Sequence, residues 1–342
     1  MSKRSVAPVA LSFVMALGLA GCGGNPIGRE DDEETTPPED GEVVTEGGGS
    51  AGESVTVYAE TTSGQGFVKN IKYDAATNTY NVDNLGFDAD NTYRAGAPVS
   101  TLNGYNVYEP DDTVIDPVSG VTIQQFQHRM VAGVSRSGRT SFNIVRTGAY
   151  KDYGFGGFIL QRQGGTTPPA SLPSTGQAAF TGNYAGLRDF NGKTGLQYVT
   201  GRMQVDIDFR DFNDGDAVKG KITDRHIYDM NGTDITGDVL DSIGTKYGAR
   251  PSVLPTLVFD VGPGAIDNTG QIHGTLSSEV LDLRGGVKNT VLESGNYYGI
   301  LSGSGVNGPD ELVGIVVVTG EDPALDNVEV RETGGFILYR PE

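Results

Sequence analysis

The sequence predicts an all-β protein with an eight-stranded antiparallel barrel in its C-terminal half, a smaller β domain before it and a disordered acidic N-terminal segment. The 342 residues include 51 glycines and 15 tyrosines but no tryptophan. Their apolar runs are short, as in strand-and-turn proteins. Turn signals such as Asn231-Gly232 separate these runs. Long helical periodicity is absent after Ala20.

The first residues have the pattern of an export signal. Lys3 and Arg4 precede an apolar stretch from Val6 to Ala20. A charged region followed by a short apolar region is typical of a signal peptide, and this stretch is too short to cross a bilayer. We therefore expect residues 1–21 to be a signal peptide.

The only cysteine of the chain, Cys22, follows this signal. It comes directly after Leu19, Ala20 and Gly21, an order that resembles the lipobox of bacterial lipoproteins. The resemblance implies that Cys22 is the lipid attachment site and that the protein is tethered to the membrane rather than spanning it. Gly23 stands where an aspartate would favour the inner membrane, so we expect the outer membrane, with either leaflet open.

Residues 22–53 form the predicted lipidated linker. Ten acidic residues lie between Glu30 and Glu53, together with prolines and a glycine run. This composition buries too little apolar surface to offset the entropy of ordering. We interpret the segment as a spacer; the alternative is an acidic bait for a cationic partner. The rest of the chain has a net charge of −12 out of −19, which disfavours a nucleic-acid partner.

Alternating residues identify individual strands. In Met203–Arg210 the apolar residues occupy every second position, so one face is predicted to be apolar and the other solvated. The same period recurs at Leu257, Phe259 and Val261, and at Phe142 and Ile144.

One heptapeptide occurs in two copies that differ at a single residue. Gly156–Arg162 reads GGFILQR and Gly334–Arg340 reads GGFILYR. The repeat predicts that two β units finish with the same closing strand; the alternative is chance similarity. We expect a bend or bulge at the paired glycines and the arginine at a rim. The proline-rich residues 164–173 are the predicted linker between residues 54–163 and residues 174–342.

A set of short motifs spans the C-terminal half. These are Thr175–Tyr184, Val205–Phe209, Val218–Ile222, Gly295–Gly299, Glu311–Gly314, and Glu332 with Gly334–Arg340. With them, residues 174–340 resemble the β-barrel domain of the transferrin-binding protein B and factor H-binding protein group of surface lipoproteins. The resemblance implies an eight-stranded barrel preceded by a handle-like β domain at 54–163. The resemblance assigns no ligand to this chain, because the family's contact residues lie in variable loops. Residues 303–310 also depart from the family pattern.

Catalytic and metal sites are not recognisable in the sequence. His128, His226 and His273 have no metal-ligand spacing, so we expect isolated surface or rim histidines. Two acidic turns offer oxygens to calcium but suit hairpin turns equally well. They comprise Asp211, Asn213, Asp214 and Asp216, and Asp229, Asn231 and Asp234.

One further carboxylate pair, Asp206 and Asp208, shares the wet face of a strand at ~6.5–7 Å, and has no opposing partner recognisable in the sequence. We therefore predict no catalytic residue, no metal and no cofactor, and we expect a binding module, not an enzyme. Its ligand would be a protein or a solute bound at loops and barrel rim, for example in nutrient capture. The alternatives are a structural or envelope-assembly lipoprotein without a soluble ligand, and a barrel enzyme that uses the acidic pairs.

Overall fold

The computed structural model describes residues 54–60, 66–68, 70–83, 90–110, 113–115, 118–120, 122–124, 127–163, 172–210, 217–262, 265–303 and 308–341. Cys22, the signal peptide, the acidic linker at 22–53 and most of the 164–173 linker lie outside the described residues, as do the acidic turn Asp211–Asp216 and part of 303–310.

Twenty strands and one helix follow one another along the described part of the chain. They are β1 (Val55–Ala59), β2 (Gly66–Phe67), β3 (Asn70–Asp74), β4 (Thr79–Asp83), β5 (Asp90–Ala95), β6 (Thr101–Leu102), β7 (Tyr105–Pro110), β8 (Thr113–Ile115), β9 (Thr122–Gln124), β10 (His128–Val134), β11 (Thr140–Thr147), β12 (Phe155–Arg162), β13 (Gln177–Asn191), β14 (Gln197–Asp208), β15 (Val218–Tyr228), α1 (Thr236–Tyr247), β16 (Leu257–Phe259), β17 (Gln271–Asp282), β18 (Lys288–Ser302), β19 (Glu311–Glu321) and β20 (Glu329–Tyr339).

The N-terminal strands form one curled sheet. Its order is β1-β12-β11-β10-β7-β5-β4-β3, with β2 added beside β12 and β6 beside β7, while β8 and β9 pair as a separate hairpin. Neighbouring strands are antiparallel except for β2 and β12. The repeated heptapeptide forms β12, which lies between β1 and β11 rather than at a sheet edge.

Both faces of this sheet are buried at its centre. Every residue of β11 is buried. Phe142 and Ile144 pack toward the barrel, whereas Val145 packs with Tyr80 and Tyr93 from the curled end of the sheet. The two-residue period at Phe142 and Ile144 would place a solvated face on the other side of β11, and this prediction is wrong. The sheet curls so that β4 and β5 cover the side that faces away from the barrel, and sequence alternation cannot reveal a second cover.

Strands β13 to β20 form a closed antiparallel barrel. The last strand seals it by pairing with the first, from Thr181 opposite Tyr339 to Asn191 opposite Glu329. The predicted fold class is thereby confirmed. As expected for β14, its apolar residues are buried and Asp206 is exposed. The alternation predicted at Leu257, Phe259 and Val261 is wrong at its last residue, because Val261 lies beyond β16 and is 48% exposed.

One helix, α1, was missed by the sequence reading. Leu240, Ile243 and Tyr247 lie on one helical face and pack into the barrel core. The helix ends at Gly248, whose φ of 80° is the left-handed conformation that commonly stops helices. Two glycines within the helix weaken its pattern in the sequence.

The sheet and the barrel share a core. Residues of β10, β11 and β12 pack on the outer face of β13, β18, β19 and β20. In β20, Gly335 permits this close approach, because a Cβ there would lie 2.2 Å from Phe142 of the sheet; a Cβ on Gly334 would lie 2.1 Å from Tyr184 inside the barrel. β20 continues through this glycine pair, and its pairing with β13 and β19 has no bulge there.

The arginine that ends the first heptapeptide is not at a rim. Arg162 is buried, and its guanidinium donates to the carbonyl oxygens of Leu301 at 3.2 Å and Thr269 at 3.0 Å. It thereby joins the sheet to the barrel. Arg340, at the end of the second copy, is half-buried.

Candidate functional site

Two charge clusters lie on opposite faces of the barrel wall where β13 pairs with β20. The register places Arg188 opposite Glu332 and Asp189 opposite Arg331. Because successive side chains of a strand point to opposite faces, the first pair lies inside the barrel and the second lies outside, against the sheet. We call these the inner cluster (Arg188, Arg225, Glu293, Glu332) and the outer cluster (Glu60, Arg146, Asp189, Arg331).

In the outer cluster every charge is matched. Arg146 donates to both carboxylate oxygens of Glu60, at 3.1 and 2.7 Å. Arg331 donates to both oxygens of Asp189, at 3.1 and 2.6 Å, and also to Glu60 at 3.1 Å. All four side chains are at least 97% buried. The cluster therefore ties β1 and β11 of the sheet to β13 and β20 of the barrel.

Electrostatics favour the charged form of Arg331 in this cluster. Burial opposes the charged form of Arg331, but the carboxylates of Asp189 and Glu60 outweigh burial and raise the pKa of the guanidinium above its usual value. Arg146 also donates to the hydroxyl of Thr333, at 3.1 Å from its Nε. Such charge-assisted, bidentate contacts are geometrically specific, which suits a structural joint.

The inner cluster is centred on Arg225. Its guanidinium donates to both oxygens of Glu293 and, at 2.8 Å, to Glu332. Tyr184 donates to the other oxygen of Glu332 at 2.9 Å. Burial alone would raise the pKa of Glu293, but the positive charge of Arg225 and its hydrogen bond lower it overall.

Arg188 is the exception in the inner cluster. Its Nη1 donates to Gln197 at 2.7 Å, but its Nε lies 3.5 Å from Glu332. Among the described residues, this buried Nε has no hydrogen-bond acceptor. Both carboxylates of the inner cluster are committed to Arg225, so Arg188 is the less neutralised of the two guanidinium groups.

Two neighbouring cavities lie beside Arg188 and share Val239 and Val330 as lining residues. The first, called the outer cavity, has a volume of about 180 Å³, the second has about 30 Å³, and Arg188 lines both. We call them together the barrel-mouth pocket. Its walls come from β13, α1 and the segment after β19, and its apolar side chains include Phe190, Ile235, Val239 and Val330.

A larger groove, the sheet–barrel cleft, lies where the turn between β6 and β7 meets the barrel. Its volume is about 780 Å³. The turn residue Asn103 donates to the carbonyl oxygens of Tyr184 at 3.0 Å and Gly201 at 2.8 Å, which docks the turn on the barrel. At another wall, the guanidinium of Arg136 lies 3.9 Å from the ring centre of Tyr339. A second groove of about 430 Å³ also includes Asn103.

The acidic residues singled out in the sequence that the structure describes do not converge on a site. Asp208 accepts a hydrogen bond from Gln177 at 2.6 Å, which lowers the pKa of its exposed carboxyl group, and Asp206 accepts from Gln204. Asp229 accepts the backbone N–H groups of its own turn, from Asn231 and Thr233. Among the described residues, no three histidine, cysteine, aspartate or glutamate side chains are grouped to hold a metal ion.

The three histidines lie in different places. His226 is exposed and contacts Asp234 at 3.0 Å, and His273, also exposed, stacks on Tyr298. His128 is buried, which corrects the surface or rim position predicted for it, because β10 is covered on both sides. Burial, with a smaller effect from Arg129, lowers the pKa of His128 to about 4.

Sequence reasoning missed both charge clusters. The signal was present as two dipeptides, Arg188-Asp189 and Arg331-Glu332, each inside a long strand whose residues around the pair are buried. A charged pair at the centre of a buried strand needs partners on both faces. The long-range partners Glu60, Arg146 and Arg225 could not be assigned without the fold.

Helices offer no route across a membrane in the described part of the chain, since none has the required length and hydropathy.

No protein-family model matches the chain, and no curated protein matches it. Several solved structures do, at low identity. A mutant of transferrin binding protein B from Haemophilus parasuis Hp5 has 12% identity and a TM-score of 0.34 over 84% of this chain and 52% of its own. Intact Ap-TbpB, with N and C lobes, has 14% identity and a TM-score of 0.34 over the same shares. A surface lipoprotein has 12% identity and a TM-score of 0.29 over 80% of this chain and 97% of its own.

The chain thus spans about half the length of the two transferrin-binding proteins. They belong to the group that residues 174–340 resemble in sequence. The barrel and the curled sheet are established by the strand pairing of this chain itself.

Proposed function

We propose that this protein is a lipid-anchored outer-membrane binding protein that holds a segment of a protein ligand in the sheet–barrel cleft. The observation that carries the proposal is the cleft itself. Its volume of about 780 Å³ falls within the ~300–1,000 Å³ of typical ligand sites. Both the sheet and the barrel contribute to its walls, so the two units together shape one binding surface.

The lining of the cleft suits a polypeptide. Asn106 and Asn183 line it with side-chain amides, which can both donate to and accept from a peptide backbone. Arginine and tyrosine are the residue types that most often dominate protein interfaces. Here Arg136 donates its backbone N–H to the hydroxyl of Tyr339 at 3.1 Å, so the two side chains are held together before a ligand arrives.

Site-specific photo-crosslinking on cells tests this proposal. A photoreactive phenylalanine analogue replaces Val134, which lines the cleft and is 54% exposed. The matched control replaces Val253, which is 66% exposed and does not line the cleft. We expect a discrete crosslinked product from the first position, and we expect Arg136→Ala with Tyr339→Ala to remove it. Equal products at both positions, or none in the cleft, would favour the structural, envelope-assembly alternative.

The anchor has its own test. Cys22→Ser should abolish labelling by a radioactive fatty acid and release the protein from membranes, because a serine hydroxyl cannot replace the thiol as the lipid acceptor. Labelling that persists in the variant would contradict the anchor. Protease added to intact cells then separates a surface-exposed protein, which would be digested, from a periplasmic one.

A further inference from the structure

The barrel-mouth pocket, which shares no lining residue with the proposed cleft, combines a buried cation with an apolar wall. Arg188 is 7% exposed and lines both of its cavities. Around it, Phe190, Val239 and Val330 provide apolar surface. Binding sites for small molecules have this composition, in which a mostly apolar wall surrounds a few polar groups that fix orientation.

The guanidinium of Arg188 has hydrogen-bonding capacity to spare. Its Nε is buried without a hydrogen-bond acceptor among the described residues, and a buried donor without an acceptor is unfavourable. The carboxylate of Glu332 lies 3.5 Å from this Nε but accepts its hydrogen bonds from Tyr184 and Arg225 instead. Burial lowers the pKa of Arg188, and the carboxylates of Glu332 and Glu293 only partly oppose this effect. An anion bound in the pocket would give this guanidinium a further acceptor.

We propose that the barrel-mouth pocket binds a small monocarboxylate with an apolar body, and that Arg188 receives its carboxylate. The size of the pocket sets the class of ligand. A cavity of roughly 150 Å³ accommodates benzene, so about 180 Å³ matches an aromatic or short aliphatic acid. The carboxylate would lie against Arg188 and Gln197, and the apolar body would lie against Phe190 and Val239.

The other charged groups at the pocket leave this preference in place. Lys193 and Asp322 neutralise each other at 2.8 Å. Glu321 is 78% exposed and pairs with Lys246 at 2.9 Å. Asp238 lines the outer cavity but is exposed in the first turn of α1, where water and salt weaken its repulsion of an anion. Asp238→Asn should therefore tighten carboxylate binding modestly.

Isothermal titration calorimetry of the full chain with benzoate tests the proposal, with benzamide as the neutral ligand of the same shape. We expect saturable binding of one benzoate, and binding of benzamide weaker by more than about tenfold, because hydrogen bonds to charged groups contribute about 1.5–3 kcal/mol. Arg188→Met keeps the apolar volume and should weaken benzoate by a similar factor. Arg188→Lys should recover part of the affinity.

Two further variants separate binding at this pocket from loss of fold. Val239→Phe narrows the mouth without changing a charge and should weaken benzoate and benzamide alike. Arg136→Ala, in the sheet–barrel cleft, should leave benzoate binding unchanged. Circular dichroism of each variant should match that of the parent protein. The proposal is overturned if benzoate does not bind saturably, or if Arg188→Met binds it as tightly as the parent.

Discussion

The inner and outer clusters contain the same charges, two arginines and two carboxylates, yet they are arranged differently. Outside the barrel, Arg146 and Arg331 each engage a carboxylate through two hydrogen bonds. Inside, Arg225 takes both carboxylates and Arg188 takes neither by a hydrogen bond. The outer cluster is thus a closed joint, and the inner cluster leaves one cation facing a pocket. The count of charges does not distinguish a joint from a binding site; the pairing does.

Removing the sheet altogether has the largest expected effect on this comparison. We propose that residues 174–342 fold alone, because the inner core of the barrel is formed by barrel residues and α1. The isolated segment should unfold cooperatively on heating but at a lower temperature than the full chain, since the outer apolar face and the outer cluster lose their cover. A broad, non-cooperative transition would show that the shared core is required and that the boundary at 164–173 does not separate folding units.

Within the full chain, Glu60→Gln should be the most damaging change to a cluster. It removes the charged partner that accepts two hydrogen bonds from Arg146, while Asp189 stays 3.8 Å from the Nε of Arg146; breaking a buried ion pair from one side costs about 3–5 kcal/mol. Urea unfolding measures the loss. The control, Glu321→Gln, breaks a pair whose carboxylate is 78% exposed and should cost below about 1 kcal/mol. Equal losses in the two variants would contradict the role of the outer cluster as a joint.

The two faces of β20 can also be compared through apolar residues. Phe336 is buried in the inner core, so Phe336→Ala should cost about 3–5 kcal/mol. Tyr339 is half-buried at the end of the outer face and stacks with Arg136, so Tyr339→Ala should cost at most about 1 kcal/mol. Denaturation in urea decides between them. A greater loss at Tyr339 would reverse the assignment of the two faces.

As pH falls, protonation of His128 in the sheet should destabilise the protein before protonation of Glu293 in the inner cluster does. Folding lowers the pKa of His128 from 6.5 to about 4, so the unfolded chain binds more protons between these values. The contribution of the neutral His128 to the free energy of unfolding is fully present above pH 6.5. It should fall by roughly 3 kcal/mol as pH decreases toward 4. The pKa of Glu293 is lowered as well, so its contribution should be lost only at more acidic pH.

Unfolding midpoints at a series of pH values test this order. His128→Gln should flatten the decline between pH 6.5 and 4, whereas His226→Gln, at an exposed position, should leave it in place. If the decline persists without the imidazole of His128, the proton-linked group lies elsewhere.

The smallest expected effect on stability is that of Arg188→Met. Glu332 loses the Nε of Arg188 at 3.5 Å in this variant but keeps its hydrogen bonds to Arg225 and Tyr184, so both of its oxygens still accept a hydrogen bond. We expect a change within about 1 kcal/mol, and replacing a buried ion by a well-packed apolar residue can even stabilise. By contrast, Arg225→Met should cost about 3–5 kcal/mol. Equal costs would show that both clusters are closed joints.

Much of the barrel could be predicted because its strands are simple. In β14, alternation identified the inner residues Met203, Val205 and Ile207. The same reasoning was wrong for β11, where Asn143 is buried, because a sheet covered on both sides retains no wet face. It also missed α1, since three apolar residues spaced along a glycine-containing helix form a weak pattern.

The candidate sites were less accessible to sequence reasoning than the fold. Asp206 and Asp208 attracted attention as neighbours in sequence, yet both lie on the solvent side of β14. The residues that do meet, such as Glu60 and Arg331, are far apart in the chain. Sequence proximity therefore selected the wrong carboxylates, and the register of β13 with β20 selected the right ones.

The sequence by itself determined the strand composition and the alternation that makes a barrel wall, and it predicts an export signal followed by a lipid attachment site at Cys22. These are local properties, because propensity, periodicity and a cleavage motif depend on neighbouring residues. Only the tertiary structure decided which charges pair, that Arg188 is left facing a pocket, and that a cleft forms between sheet and barrel. Those features depend on strand register and on packing between distant segments, and pairing changes the energy of a buried charge by several kcal/mol.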